Sequence, residues 1–154
     1  MAQVLKSVLV EYAAETMFEL VDAVEAYPQF LPWCGSTHLV ERTQELTLAT
    51  IEIDYHGVRQ SFTTRNAKTA PEWMHIRLQE GPFRLLTGHW HFKPLGAGAC
   101  KVEFRLEYEF SSRLLEKVVG PVFGHIASSM VDAFVRRANA TLTPLVSGLL
   151  GPDR

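Results

Sequence analysis

Cysteine is scarce in this chain, charge is nearly balanced, and no apolar run is long. Cys34 and Cys100 are the two cysteines in 154 residues, too few for the disulfide framework of a small secreted domain, so two free thiols in a reducing compartment are expected. A formal net charge of −2 lacks the broad cationic field of proteins held by phosphate neutralisation, which argues against DNA as a partner. No stretch approaches the roughly 18 apolar residues of a membrane-spanning helix. The start, MAQVLKSVLVEYA, has neither the apolar core nor the small-residue cleavage site of a signal peptide. The expected location is the cytoplasm. Repeats, linkers and low-complexity segments are missing too, so one domain over residues 1–154 is expected.

What is present reads as globular: 47% hydrophobic and 21% charged residues, in a chain long enough to bury about 70% of its unfolded surface without a staple. Residues 3–10 alternate and read as a strand. Ala13, Met17, Leu20, Val21 and Val24 recur at helical spacing, giving a helix from about Ala14 to Val24. Pro28 and Pro32 break the following stretch into a short helix or turn. Five strand patterns then occupy 46–56, 58–66, 73–79, 84–93 and 100–110, and six strands are expected between the helices. The last, CKVEFRLEYEF, alternates cleanly, as in an antiparallel sheet with one dry and one wet face. Val118, Val119, Val122, Ile126, Met130, Phe134, Ala138 and Leu142 keep a three-to-four spacing. A straight helix over 112–147 would be about 54 Å long and overhang a domain about 40 Å across. A kink or break is therefore expected at Gly120-Pro121, and Pro144 should weaken or end the helix. Strands in a block with helices at both ends make an α+β fold. A curved antiparallel sheet round one long helix satisfies every face.

Inward positions of the strands carry Tyr55, Phe62, Trp90, Phe92, Phe104 and Tyr108, and the long helix adds Phe123, Met130 and Phe134. Any one of these is ordinary core material. As a set they also fit a mostly apolar cavity between sheet and helix, the usual form of a small-molecule site. YPQFLPWC would bring Tyr27, Phe30, Leu31 and Trp33 to its mouth, beside the Gly81-Pro82-Phe83 turn. With Leu86 and Ile126, these define the candidate ligand-binding set, Tyr55 excepted. Gln60, Thr64 and Asn66 share the parity of Phe62, so polar groups face inward there. A ligand carbonyl and a local backbone bond account for them equally well.

Other chemistry-bearing residues favour plain readings. Cys34 has no sequence signature of a nucleophile. His89 and His91 share a strand face, and His75 could meet them, but they fall on the wet side, so solvated histidines are expected rather than a zinc site. Glu103, Arg105, Glu107 and Glu109 read as a solvent face. Arg113, Lys117, Arg136 and Arg137 read as solvated helix surface.

YPQFLPWC, GPFRLLTGHWHF, CKVEFRLEYEF and MVDAFVRRA resemble, in order and spacing, the coenzyme-Q-binding START-like family, also labelled polyketide cyclase/lipid transport. Its bacterial branch includes the ribosome-association toxin RatA. The resemblance runs from about Val4 to Ala138 and carries no catalytic signature. It implies a helix-grip fold: seven antiparallel strands, two short helices after the first strand, and a long C-terminal helix over a hydrophobic cavity. It also implies a bound polyprenyl quinone such as ubiquinone or another isoprenoid lipid, with a transient membrane contact, or else binding to the large ribosomal subunit that blocks subunit joining. The expectation is a non-enzymatic carrier needing no metal or obligatory cofactor, with the ribosome toxin as the alternative.

Overall fold

The computed structural model describes residues 1–142. Strand β1 (Ala2–Val10) leads into helix α1 (Ala14–Asp22) and a 3₁₀ segment (Val24–Gln29). Six strands follow: β2 (Cys34–Arg42), β3 (Leu46–Tyr55), β4 (Val58–Thr69), β5 (Trp73–Glu80), β6 (Phe83–Pro94) and β7 (Cys100–Phe110). Helix α2 (Arg113–Thr141) closes the described chain. The seven strands form one antiparallel sheet in the order β1-β7-β6-β5-β4-β3-β2. This is the expected α+β helix-grip architecture.

Short hairpins give most of that order. His56 and Gly57 both have positive φ, 51° and 80°, as a two-residue type I′ turn between β3 and β4 requires. Gly81 has φ 152°, and a Cβ there would lie 2.6 Å from the Phe62 Cβ, so glycine lets the β5–β6 turn close over β4. Strand β1 instead reaches the far edge, pairing Val4 with Leu106 and Val10 with Cys100. The chain therefore crosses the dry face through α1 before β2 begins on the other edge.

Strand β2 had no clear pattern of its own: CGSTHLVER is largely exposed, as an outer strand can be. Two register shifts against β3 further scramble its alternation. Cys34 begins this strand and is buried.

Helix α2 does not break at Pro121. It runs through Pro121 as one assigned helix of 29 residues, about 43 Å at 1.5 Å per residue. Pro121 and Lys117 are both on the exposed side, so the carbonyl that proline deprives of its donor can face water. Because the helix ends at Thr141, its length is close to the domain width of about 40 Å, and fitting it needs no break. Ser112 caps it, its Oγ accepting from the Leu115 N–H at 3.1 Å; such a cap contributes about 1 kcal/mol. Pro144 lies outside the described residues. An eighteen-residue window of α2 is also apolar enough, by length and composition, to cross a membrane, contrary to the sequence reading. In this fold the helix lies on the sheet and buries Val119, Phe123, Ile126, Ala127, Val131 and Phe134.

The core holds two knots of rings. Phe123 meets Phe62, Phe83, Tyr108 and Phe110 at centroid distances of 4.7–6.1 Å. Phe134 meets Tyr27, Phe30 and Trp90 at 5.3–5.5 Å. Eleven residues of helix separate the two, about 16 Å. Ile126, Ala127 and Met130 face the sheet between them.

Candidate functional site

A cavity of about 70 Å³ lies in that interval. Its walls come from α1 and the 3₁₀ segment (Val21, Val24, Tyr27), the start of β2 (Trp33), the inner faces of β3 to β7, and α2. The lining is apolar except for the Tyr27 phenol, Thr64 and Asn66. Tyr27 donates its proton to the Val21 carbonyl. Burial, aided by the charge of Asp22, holds its phenol far above the ordinary range. That leaves Thr64 and Asn66, side by side on β4, as the polar end of the space. A register shift between Thr63 and Thr64 against β5 bends β4 where these two residues begin.

Ten of the candidate residues line this cavity: Tyr27, Trp33, Phe62, Leu86, Trp90, Phe104, Phe123, Ile126, Met130 and Phe134. Five stand elsewhere. Phe83 and Tyr108 belong to the Phe123 knot. Phe92 is fully buried against Phe18 and Trp90. Leu31 is core, and Phe30 sits outside the cavity on Phe134 and Tyr27. The YPQFLPWC stretch is thus largely core rather than an open lip. Tyr27 and Phe30 pack on Phe134, while Cys34 at its other end pairs with Ile53 on β3. Val21, Val24, Ile51, Met74, Ile76, Leu106 and Ala127 complete the lining. Most had the inward parity that marks the site, but attention to rings passed over them.

Two polar networks hold the walls. Asp22, at the C-terminal end of α1, accepts from Thr47 Oγ1 at 2.7 Å and Lys68 Nζ at 3.0 Å, with Arg42 at 3.5 Å. A carboxylate is unfavourable at the negative end of a helix, and these donors offset it. The Lys68 side chain is only 5% exposed, so its charge is balanced locally or not at all. Arg42 also binds Glu25, whose carboxyl is held below its usual range chiefly by that hydrogen bond. At the other end of α2, Arg137 is not the solvated side chain expected. Its guanidinium carbon lies 4.8 Å from the Phe30 ring centroid, and Nη2 donates to Gln29 Oε1 at 2.9 Å. It straps the 3₁₀ segment to the helix.

The histidines also need correction. His91 is not solvated: its side chain is 14% exposed, stacked 3.9 Å from Trp73, with Glu103 on Nδ1 and Glu72 on Nε2, both at 3.0 Å. Those contacts occupy both nitrogens that a metal would need. His89 is half-buried, and burial, then the positive neighbours His75, Arg105 and His91, lower its pKa. Burial pushes both thiols up to about 11, so Cys34 and Cys100 are protonated at neutral pH and are poor nucleophiles.

Residues 10–135 match the family described as polyketide cyclase/dehydrase and lipid transport. The chain belongs to this family. Among curated relatives, the ribosome association toxin RatA of Vibrio cholerae is 44% identical over 138 residues, covering 90% of this chain and 96% of the toxin. The mitochondrial coenzyme Q-binding protein COQ10 of Drosophila melanogaster is 26% identical over 156 residues, covering 97% of this chain and 64% of that protein. Among solved structures, a START superfamily protein from Mycobacterium smegmatis superposes with TM-score 0.70 at 22% identity, over 90% of this chain and 97% of that one. The Zhui aromatase/cyclase of Streptomyces sp. R1128 gives 0.74 at 17% identity, over 92% and 99%. These structures share the fold described above, a curved antiparallel sheet closed by a long C-terminal helix.

Proposed function

We propose that this chain is a non-enzymatic binding protein for a hydrophobic ligand with a small polar head, an isoprenoid quinone such as ubiquinone or a related lipid. The observation that carries the reading is the cavity under α2, mostly apolar, with Thr64 and Asn66 side by side on one strand and the Tyr27 phenol already bonded to the Val21 carbonyl. Such a space holds a greasy tail by burial, worth about 25 cal/mol per Å² removed from water, while two polar groups orient the head. The relative named as coenzyme Q-binding and the lipid-transport description of the family support it. At about 70 Å³ the cavity is well below the roughly 300 Å³ of a typical ligand pocket, so binding must widen it. Met74 and Met130 line it, and methionine is the core side chain that repacks most readily. Trp33 and Trp90 also line it, so titration with a short-chain ubiquinone, read by tryptophan fluorescence, tests the reading. Saturable quenching at one equivalent is expected; fluorescence unchanged up to the solubility limit contradicts it.

A second reading, binding to the large ribosomal subunit with a block on subunit joining, has its own support. Relatives at 44% and 41% identity carry the name ribosome association toxin. On the outer face of the sheet, Arg65 and Arg77 stand directly opposite each other on β4 and β5. Neither forms an ion pair among the described residues. Like charges directly opposite are destabilising, and an RNA phosphate would relieve them. Co-sedimentation separates the readings: charge reversal of both arginines removes ribosome binding if the second holds, and leaves quinone binding intact if the first does.

A further inference from the structure

Among the described residues, one buried side-chain polar atom has no protein partner: Asn66 Oδ1. Asn66 is 8% exposed and lines the cavity. Its cross-strand neighbours are Thr47 on β3 and Ile76 on β5. Ile76 has no donor in its side chain. Thr47 has one, but gives it to Asp22 at 2.7 Å. Thr64, two residues back on the same face and about 7 Å away along the strand, makes no bond to it. Asn66 thus lines the cavity while its Oδ1, enclosed in the wall, has no donor in the protein.

A buried acceptor needs a donor. In the ligand-free chain this oxygen has almost no accessible surface and no partner, and a ligand whose entry widens the space satisfies it only by bringing a donor. We infer that the cavity selects ligands whose polar head donates a hydrogen bond, and that Asn66 is the selecting residue. Resting on the quinone reading, the corollary is that the reduced quinol is bound in preference to the oxidised quinone. A quinol offers an O–H to Asn66 Oδ1. A quinone offers only carbonyl oxygens, setting acceptor against acceptor.

The test uses two matched pairs against the intact chain: short-chain ubiquinol and ubiquinone under anaerobic conditions, and 4-hexylphenol and 4-hexylanisole, in which a methyl group replaces the donated proton. Affinities are read from tryptophan fluorescence. The expected result is a preference of about tenfold for the donor in each pair, or about 1.4 kcal/mol, falling to within about twofold in Asn66→Val. Asn66→Ala serves as a second variant should valine perturb folding. Equal affinities overturn the inference, since they mean the amide turns to suit either head. A preference that survives both variants overturns the role of Asn66. If neither quinone form binds while the phenol still exceeds its ether, the quinone reading fails and donor selection stands. If no probe binds, both fail.

Discussion

Replacing Asn66 with valine should make the protein more stable, and the size of the gain follows from its surroundings. Asn66 Oδ1 is buried without a protein donor, and an unsatisfied buried polar atom costs about 1–3 kcal/mol. Valine removes it, adds apolar surface facing a cavity with about 70 Å³ to receive it, and suits a strand interior flanked by Thr47 and Ile76. A net gain of about 2 kcal/mol is the middle of that range. For a domain of about 150 residues each kcal/mol moves Tm by about 2–4 °C, so Tm should rise by about 4–8 °C. Calorimetry or circular dichroism of the ligand-free protein measures it, with urea unfolding as a check that the slope is unchanged. An unchanged or lower Tm would refute the reasoning, because it would show that Asn66 is already satisfied. A gain in stability joined to a loss of ligand selectivity is the pattern of a residue kept for function at a structural cost.

Asp22→Ala should lower stability by about 3 kcal/mol, since it leaves Lys68 buried and unpaired; thermal melts check this, and a loss below 1 kcal/mol would mean that Lys68 finds water. His89 has a folded-state pKa below its unfolded value, so its contribution is present above about pH 6.5 and is lost as pH falls through the lowered pKa. The Tm of the wild type should therefore drop as pH falls below about 6.5, more steeply than that of His89→Asn; parallel curves would remove His89 from the account. Arg137→Ala cuts the strap over Phe30 and should speed ligand exchange several-fold in stopped-flow, with a stability change of about 1 kcal/mol or less; unchanged exchange would place the entrance elsewhere.

The fold was legible because strands such as CKVEFRLEYEF alternate without interruption and register leaves them one buried face. Strand β2 was not, because an outer strand with two register shifts has no single dry face to imprint on its sequence. The helix passes Pro121 without a break for a local reason: proline costs most where its freed carbonyl is buried, and here the position faces water. The cavity was half legible. Parity identified which residues point inward, Thr64 and Asn66 included, but not which inward residues touch one another. Rings drew attention, yet the two aromatic knots pack against themselves and leave the space between them to Ile126, Ala127 and Met130. The Asp22 network joins residues as far apart in the chain as Asp22 and Lys68, a distance no pattern in the sequence spans.

The central claim is that the space under α2 holds a hydrophobic ligand. Native mass spectrometry of protein purified from its own host, followed by lipid extraction, tests it most directly. The account predicts one equivalent of an isoprenoid quinone or related lipid, enriched in the reduced form when handled without oxygen. A clean ligand-free mass, unchanged on adding ubiquinone or ubiquinol, would contradict it and leave the cavity as ordinary core.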